Sequence, residues 1–262
     1  MSTTTQPPKP KRRWNQFSLR TLLVVVTVAT LAFGGWVQYT RQQAQENRDR
    51  VAAVEEAVAE IEKLGGEVTS AYEELRPPTW LEEQFDDPGG ADNPVGLLKV
   101  TGVNLYQSKV TDAGLEQLKG LTMLDALSLE ETDITDVGLE HLKGMTGLHT
   151  LILTDTNVTD AGLEHLKGLT DLRSLDLMGT NVTAAGLEHL KGLTNLRQLA
   201  LEGPQVTDAG LEQLEGLTKL DELHLFRTNV TDDGLKKLQQ ALPKLSIESM
   251  DTSGKRYQPQ LP

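Results

Sequence analysis

Three groups of residues have types and spacings that could do chemistry. His141, His165 and His189 recur at intervals of 24 residues and suggest a ladder of imidazole ligands for zinc. A zinc ligand sits about 2.0 to 2.1 Å from the ion, whereas neighbouring helices pack about 8 to 10 Å apart. The three imidazoles therefore cannot share one ion, and their repetition reads as a solvated helix face. Glu202 and His224, on what should be adjacent strands, offer an acid–base pair, but no nucleophile or oxyanion donor accompanies them. The recurring run Leu118-Lys119-Gly120-Leu121-Thr122 has the residue types of a phosphate loop without its glycine spacing, and reads as a helix end. The chain has no Cys, which removes disulfides, thiolate zinc sites and cysteine nucleophiles together. No catalytic, metal or cofactor site is expected, and the remaining chemistry is recognition by a surface.

The elements that would position such a surface follow from a stretch of 24 residues, Val110 to Asp133, which recurs from Ile134, Val158, Val182 and Val206 without insertion and begins again at Val230. A fixed period in the twenties is the mark of a solenoid. In one copy Thr111 can cap a helix carrying Asp112 in its first turn and Lys119 in its last, and Gly120 stops it. Leu115, Leu118 and Leu121 share a side. Beyond Leu124 the spacing shortens to Leu127 and Leu129, so a short strand turns these leucines inward and leaves Ala126, Ser128 and Glu130 outward. One copy buries too little apolar surface to offset the entropy of ordering its backbone, so stability must come from stacking. Gly114, Gly138, Gly162, Gly186, Gly210 and Gly234 hold one position, which predicts close approach of each helix start to its neighbour.

The pattern Leu124, Leu127, Leu129, Thr132, repeated as Leu172, Leu175, Leu177, Thr180, resembles the LxxLxLxxN signature of the leucine-rich repeat family, with Thr replacing the usual Asn or Cys. The 24-residue period with a genuine helix, of T-D-A-G-L type, looks like the ribonuclease-inhibitor-like branch. The resemblance implies an α/β solenoid over residues 100–248, with a parallel sheet of seven strands on the concave side and helices on the convex side. It also implies that function lies on the outward strand positions. One column there runs Tyr106, Glu130, Thr154, Met178, Glu202, Phe226 and the next Asn104, Ser128, Ile152, Asp176, Ala200, His224. Apolar side chains among carboxylates suit a protein interface, which nominates Tyr106, Glu130, Ile152, Asp176, Met178, Glu202, His224 and Phe226 as protein-binding residues.

Charge divides the chain. Residues 1–50 carry eight Lys/Arg against two Asp/Glu, and the remainder 17 against 36. An acidic solenoid excludes phosphate-backbone binding, so no nucleic-acid partner is expected. Residues 1–20 read as a disordered basic cytoplasmic arm. Thr21 to Val37 is uncharged, so residues 21–39 read as a single transmembrane signal-anchor helix in contact with lipid, a cleaved export signal being the competing interpretation. Basic residues before the span put the N-terminus in the cytoplasm and the repeats on the non-cytoplasmic side. Residues 40–66 read as a juxtamembrane amphipathic helix whose stripe of Val51, Val54, Val58 and Ile61 could support weak self-association through 41–64. Residues 67–99 read as linker and N-terminal cap, with a short strand at Glu67 to Tyr72 and Trp80, Leu81 and Phe85 as cover, and residues 249–262 as a polar tail. Phe17-Ser18-Leu19-Arg20-Thr21, Lys63-Leu64-Gly65-Gly66 and the T-D-A-G-L repeats are together similar to membrane-anchored bacterial leucine-rich-repeat proteins, which implies the cell envelope. Two functions stay open: a non-enzymatic module that binds a protein or peptide, and a structural spacer or self-assembling envelope component.

Overall fold

In the computed structural model the described residues are 51–74 and 96–251 except residue 122, together with single positions between 38 and 49 and Gly254. The chain divides into two compact units, Met1–Asp49 and Arg50–Pro262. In the first, the described positions are helical, and Gln42 Nε2 donates to Glu46 Oε1 at 2.9 Å and Gln45 Nε2 to Asp49 Oδ1 at 2.8 Å, the four-residue spacing of an α-helix. The basic arm and nearly all of the proposed span over 21–39 lie outside the described residues. Among the described residues, no helix is long and apolar enough to cross a membrane.

The second unit is a stack built on one sheet. Its strands are β1 (Glu67–Glu74), β2 (Gly96–Asn104), β3 (Ala126–Ser128), β4 (Thr150–Ile152), β5 (Ser174–Leu177), β6 (Gln198–Glu202), β7 (Glu222–Thr228) and β8 (Ser246–Asp251), lying side by side in chain order. From β2 to β8 every pairing is parallel. Because the repeat carries no insertion, each strand pairs with its own counterpart: Leu127 with Leu151, Leu151 with Leu175, Leu175 with Leu199 and Leu199 with Leu223. These leucines, with Leu129, Leu153, Leu177, Leu201 and Leu225, form one continuous buried core.

Three features differ from expectation. First, the sheet has an eighth strand, β1, antiparallel to β2, which covers an edge that would otherwise present unpaired N–H and C=O groups. The short strand expected at Glu67 to Tyr72 is thus present as β1, two residues longer and paired into the sheet, the start of β2 also falls within the residues read as linker and cap, and Trp80, Leu81 and Phe85 lie outside the described residues. Second, the helix over 51–63 turns its stripe onto the stack. Ala57 and Ile61 are buried in the core, and Val54, Val58, Leu64 and Val68 pack against it. The stripe expected to serve self-association covers the first repeat instead.

Third, the convex segments are not regular α-helices. A short α turn, Asp136–Leu139 or Asp160–Leu163, runs into a 3₁₀ turn, Glu140–Leu142 or Glu164–Leu166, and Asp112–Gly120 and Gly186–Gly192 are 3₁₀ throughout. The spacing of the leucines is the cause. Leu115, Leu118, Leu121 and Leu124 are three apart, and side chains three apart eclipse on a 3₁₀ helix but rotate away on an α-helix. The backbone follows, with Leu121 N donating to Leu118 O at 2.8 Å and Leu124 N to Leu121 O at 3.1 Å. In the last copy the interval from Leu238 to Leu242 is four, and there the chain forms a ten-residue α-helix, Asp232–Ala241.

An acid-to-threonine ladder joins successive copies. Asp112 Oδ1 accepts from Thr135 N at 2.9 Å and its Oδ2 from Thr135 Oγ1 at 2.6 Å, and Asp136 with Thr159, Asp160 with Thr183 and Asp208 with Thr231 repeat the arrangement. Thr135, Thr159 and Thr231 in turn cap their own helix starts. Ala184 takes the acidic position once, and Thr207 makes no side-chain cap bond. At four of the six glycines these carboxylates are the nearest neighbours: a Cβ on Gly138 would lie 2.5 Å from Asp112 Oδ1, one on Gly162 2.4 Å from Asp136 Oδ1, and Gly186 and Gly234 face Asp160 and Asp208 in the same way, whereas Gly114 faces Val110 and Gly210 faces Ala184.

Candidate functional site

The parallel register places the two nominated columns on the open face of the sheet, opposite the leucines. Side chains there stand one strand apart, about 4.8 Å, so Tyr106 and Phe226 lie about 24 Å apart across the face. Ile152 is directly beside Asp176, and Glu202 directly beside Phe226. Tyr106 is 44% exposed, and the other nominated residues are half-buried. The apolar members do not merge into one patch. Glu130 and Thr154 separate Tyr106 from Met178, and Glu202 separates Met178 from Phe226.

Two ends of this face are held rigidly. At the first, Tyr106 donates its hydroxyl to Glu131 Oε1 at 3.2 Å, and Gln107 Nε2 donates to Glu131 Oε2 at 2.7 Å. The bond to Glu131 leads the causes that raise the Tyr106 hydroxyl above its ordinary value of 10.0. At the far end, the rings of His224 and Phe226 stack with centroids 6.3 Å apart and planes within 4°. His224 Nδ1 lies 3.3 Å from Glu248 Oε2, and its Nε2 lies 3.9 Å from Glu222 Oε2. Glu202 instead meets Arg227 NH1 at 3.1 Å. The acid–base pair weighed for Glu202 and His224 is therefore not formed: the two belong to different columns, and each takes a nearer partner.

Between these ends the face is acidic. Burial raises the Glu130 carboxyl above its ordinary 4.5, and the charges of Glu131, Asp176 and Asp155 raise it further. Asp176 also accepts from Met178 N at 2.9 Å through Oδ1, which fixes its side chain along its own strand.

A further column was not anticipated. Gln107, Glu131, Asp155 and Arg227 all adopt φ of 52° or 53°, and Gly179 and Gly203, at the same position, have φ of 65° and 110°. Left-handed backbone is costly for a residue with Cβ, yet here it is repeated because it keeps the N–H in the ladder: Glu131 N donates to Thr154 O and Asp155 N to Met178 O, both at 2.9 Å. The hint in the sequence was glycine at two of six equivalent positions. A second unanticipated row, Asp125, His149, Arg173, Arg197 and Asp221, precedes the strands and lines an open concavity of about 520 Å³. His141, His165 and His189 lie on the 3₁₀ segments and not on the strands, and the Nδ1 atoms of His141 and His165 are buried with no partner among the described residues.

Residues 168–191 and 216–238 match the family model described as Leucine Rich repeat. Among solved structures, internalin C2 from Listeria monocytogenes is similar at 27% identity and a TM-score of 0.44, over 56% of this chain and 70% of that one. A second internalin of that organism, inlF, is similar at 23% identity and a TM-score of 0.36, over 55% and 52%. No curated protein matches. Two stretches of the chain, one repeat length each, are thus similar to leucine-rich repeats.

Proposed function

We propose that this chain is a non-enzymatic binding module held at the cell envelope by residues 21–39, with its repeats on the non-cytoplasmic side and a protein or peptide bound across the open face of the sheet. The observation that carries the reading is the pair of anchored aromatic groups at opposite ends of that face, Tyr106 on Glu131 and Phe226 on His224. Rigid aromatic side chains lose little entropy on binding and dominate interface energies, and the intervening Glu130, Asp176 and Glu202 favour a partner with complementary basic groups. Lipid contact through residues 21–39 belongs to this proposal. Self-association through 41–64 does not, because Ala57 and Ile61 are already covered. The 24-residue period supports likeness to the ribonuclease-inhibitor-like branch by length, while the 3₁₀ convex segments depart from it.

The test uses the full-length chain in envelope membranes, with chemical crosslinking of the native chain and of a variant combining Glu130→Lys, Glu202→Lys and Phe226→Ala. Loss of a discrete crosslinked species in the variant, with its circular dichroism unchanged, supports binding by this face. Unchanged crosslinking assigns the chain to the alternative class, a structural spacer or self-assembling envelope component.

A further inference from the structure

The row that precedes the strands is a second feature of the sheet, and its geometry is tightly set. The carbonyl oxygens of Asp125, His149, Arg173 and Arg197 each accept from two N–H groups of the next copy. Asp125 O takes His149 N at 2.8 Å and Thr150 N at 3.0 Å, His149 O takes Arg173 N at 2.8 Å and Ser174 N at 2.9 Å, and Arg173 O takes Arg197 N at 2.7 Å and Gln198 N at 2.9 Å. The side chains therefore rise from fixed points one strand apart.

Charges along the row are paired at both ends and unpaired in the middle. His149 Nδ1 contacts Asp125 Oδ1, and Arg197 NH1 contacts Asp221 Oδ2 at 3.1 Å. Gln198 Nε2 is likewise engaged, by Glu222 Oε2 at 2.8 Å. Arg173, between His149 and Arg197, has no side-chain partner among the described residues. Residues after 50 carry 36 Asp/Glu against 17 Lys/Arg, so an unpaired guanidinium beside a second arginine runs against the character of the chain. Thr150 and Ser174, half-buried in the same concavity, have hydroxyls with no partner among the described residues. A planar five-donor fork flanked by free hydroxyls matches a carboxylate, which accepts in bidentate fashion. Asp125, Asp221 and Glu222 on the rim repel a doubly charged anion more than a singly charged one.

We infer that Arg173, with the hydroxyls of Thr150 and Ser174, is a seat for a carboxylate side chain, and that its ligand is an acidic peptide segment. The seat is separate from the Tyr106 to Phe226 columns and stands whether or not they bind.

The experiment is a titration of the ¹⁵N-labelled full-length chain, in a neutral detergent, with a peptide carrying one glutamate among three glycines, acetylated and amidated at its ends. The amides of Ser174 and Gln198 report the seat, so that peptide bound to the basic residues 1–50 is read separately. Saturable shifts at both amides are expected. The dissociation constant should rise at least about tenfold in Arg173→Ala and by a similar factor in Arg173→Lys, whose point charge lacks the fork. The same peptide with glutamine in place of the glutamate should produce no shift, and inorganic phosphate should bind more weakly than the peptide. Absence of shifts at these amides, equal affinity in Arg173→Ala, or phosphate binding as tight as the peptide would each overturn the assignment. Phe226→Ala should leave this titration unchanged, which separates its outcome from that of the crosslinking test.

Discussion

Removing one rung of the acid-to-threonine ladder should weaken the stack far more than the loss of a surface charge. Asp160 accepts from Thr183 N at 2.7 Å and from Thr183 Oγ1 at 2.6 Å. Hydrogen bonds to a charged group contribute about 1.5 to 3 kcal/mol each. Both end on one part-buried carboxylate and are not additive, so Asp160→Ala should cost about 2 to 4 kcal/mol. The chain supplies its own control in Ala184, and Ala184→Asp should build the missing rung with Thr207 and add about 1 kcal/mol. The site is also coupled to Gly186, where a Cβ would lie 2.1 Å from Asp160 Oδ1 and 3.0 Å from its Cα. Gly186→Ala should therefore be severe in the native chain and milder in Asp160→Ala, which removes the carboxylate and leaves the backbone contact. Urea unfolding followed by far-ultraviolet circular dichroism measures the cycle, and amide exchange of Thr183 localises it. A cost below about 0.5 kcal/mol for Asp160→Ala, with no gain from Ala184→Asp, would refute the claim that these carboxylates tie the copies together.

Other substitutions test other parts of the molecule. Thr132 Oγ1 donates to Leu129 O at 2.5 Å whereas Thr228 Oγ1 is buried with no partner among the described residues, so Thr132→Val should cost about 1 kcal/mol and Thr228→Val should be neutral or stabilising, measured by denaturant midpoint. Ile61, 2% exposed beneath the helix over 51–63, should lose about 2 to 4 kcal/mol on mutation to Ala, with faster exchange first in β1 and β2. The raised Glu130 carboxyl binds its proton more tightly in the folded state than in the unfolded one. Its contribution thus favours folding at low pH and is lost as pH rises through the folded value. Glu130→Gln should raise the melting temperature at pH 7, and the difference should vanish near about pH 3.5, where the carboxyl is protonated in both states.

The pairing of Leu127 with Leu151 and Leu175 was legible because an uninterrupted period leaves the strands one register. The twist of the convex segments was also written in the chain, in the three-residue interval from Leu115 to Leu118 to Leu121, but a cap, a dipole charge and a glycine stop fit an α-helix equally well. The repeats with three-residue intervals hold at most a four-residue α turn, and the ten-residue α-helix forms where the interval from Leu238 to Leu242 is four. Close approach at the glycines was expected, yet the neighbour that requires it, a carboxylate 23 residues away from its threonine, is invisible within a single copy. Burial of the Val54 to Ile61 stripe depends on where β1 and β2 place the first repeat, which no local pattern encodes. The row around Arg173 is not legible in the sequence because it lies one residue before the strand, outside the alternation that defines the open face.

Strict equivalence of pairing partners makes copy number a free parameter of this architecture. Duplicating a segment such as Val158 to Asn181 would present each flanking unit with the same neighbour it already has, and would widen the sheet by one strand spacing, about 4.8 Å. Gain or loss of whole units by recombination can therefore resize the binding surface without redesign of its interior, while the antiparallel strand at one end and the ten-residue helix near the other remain as fixed termini.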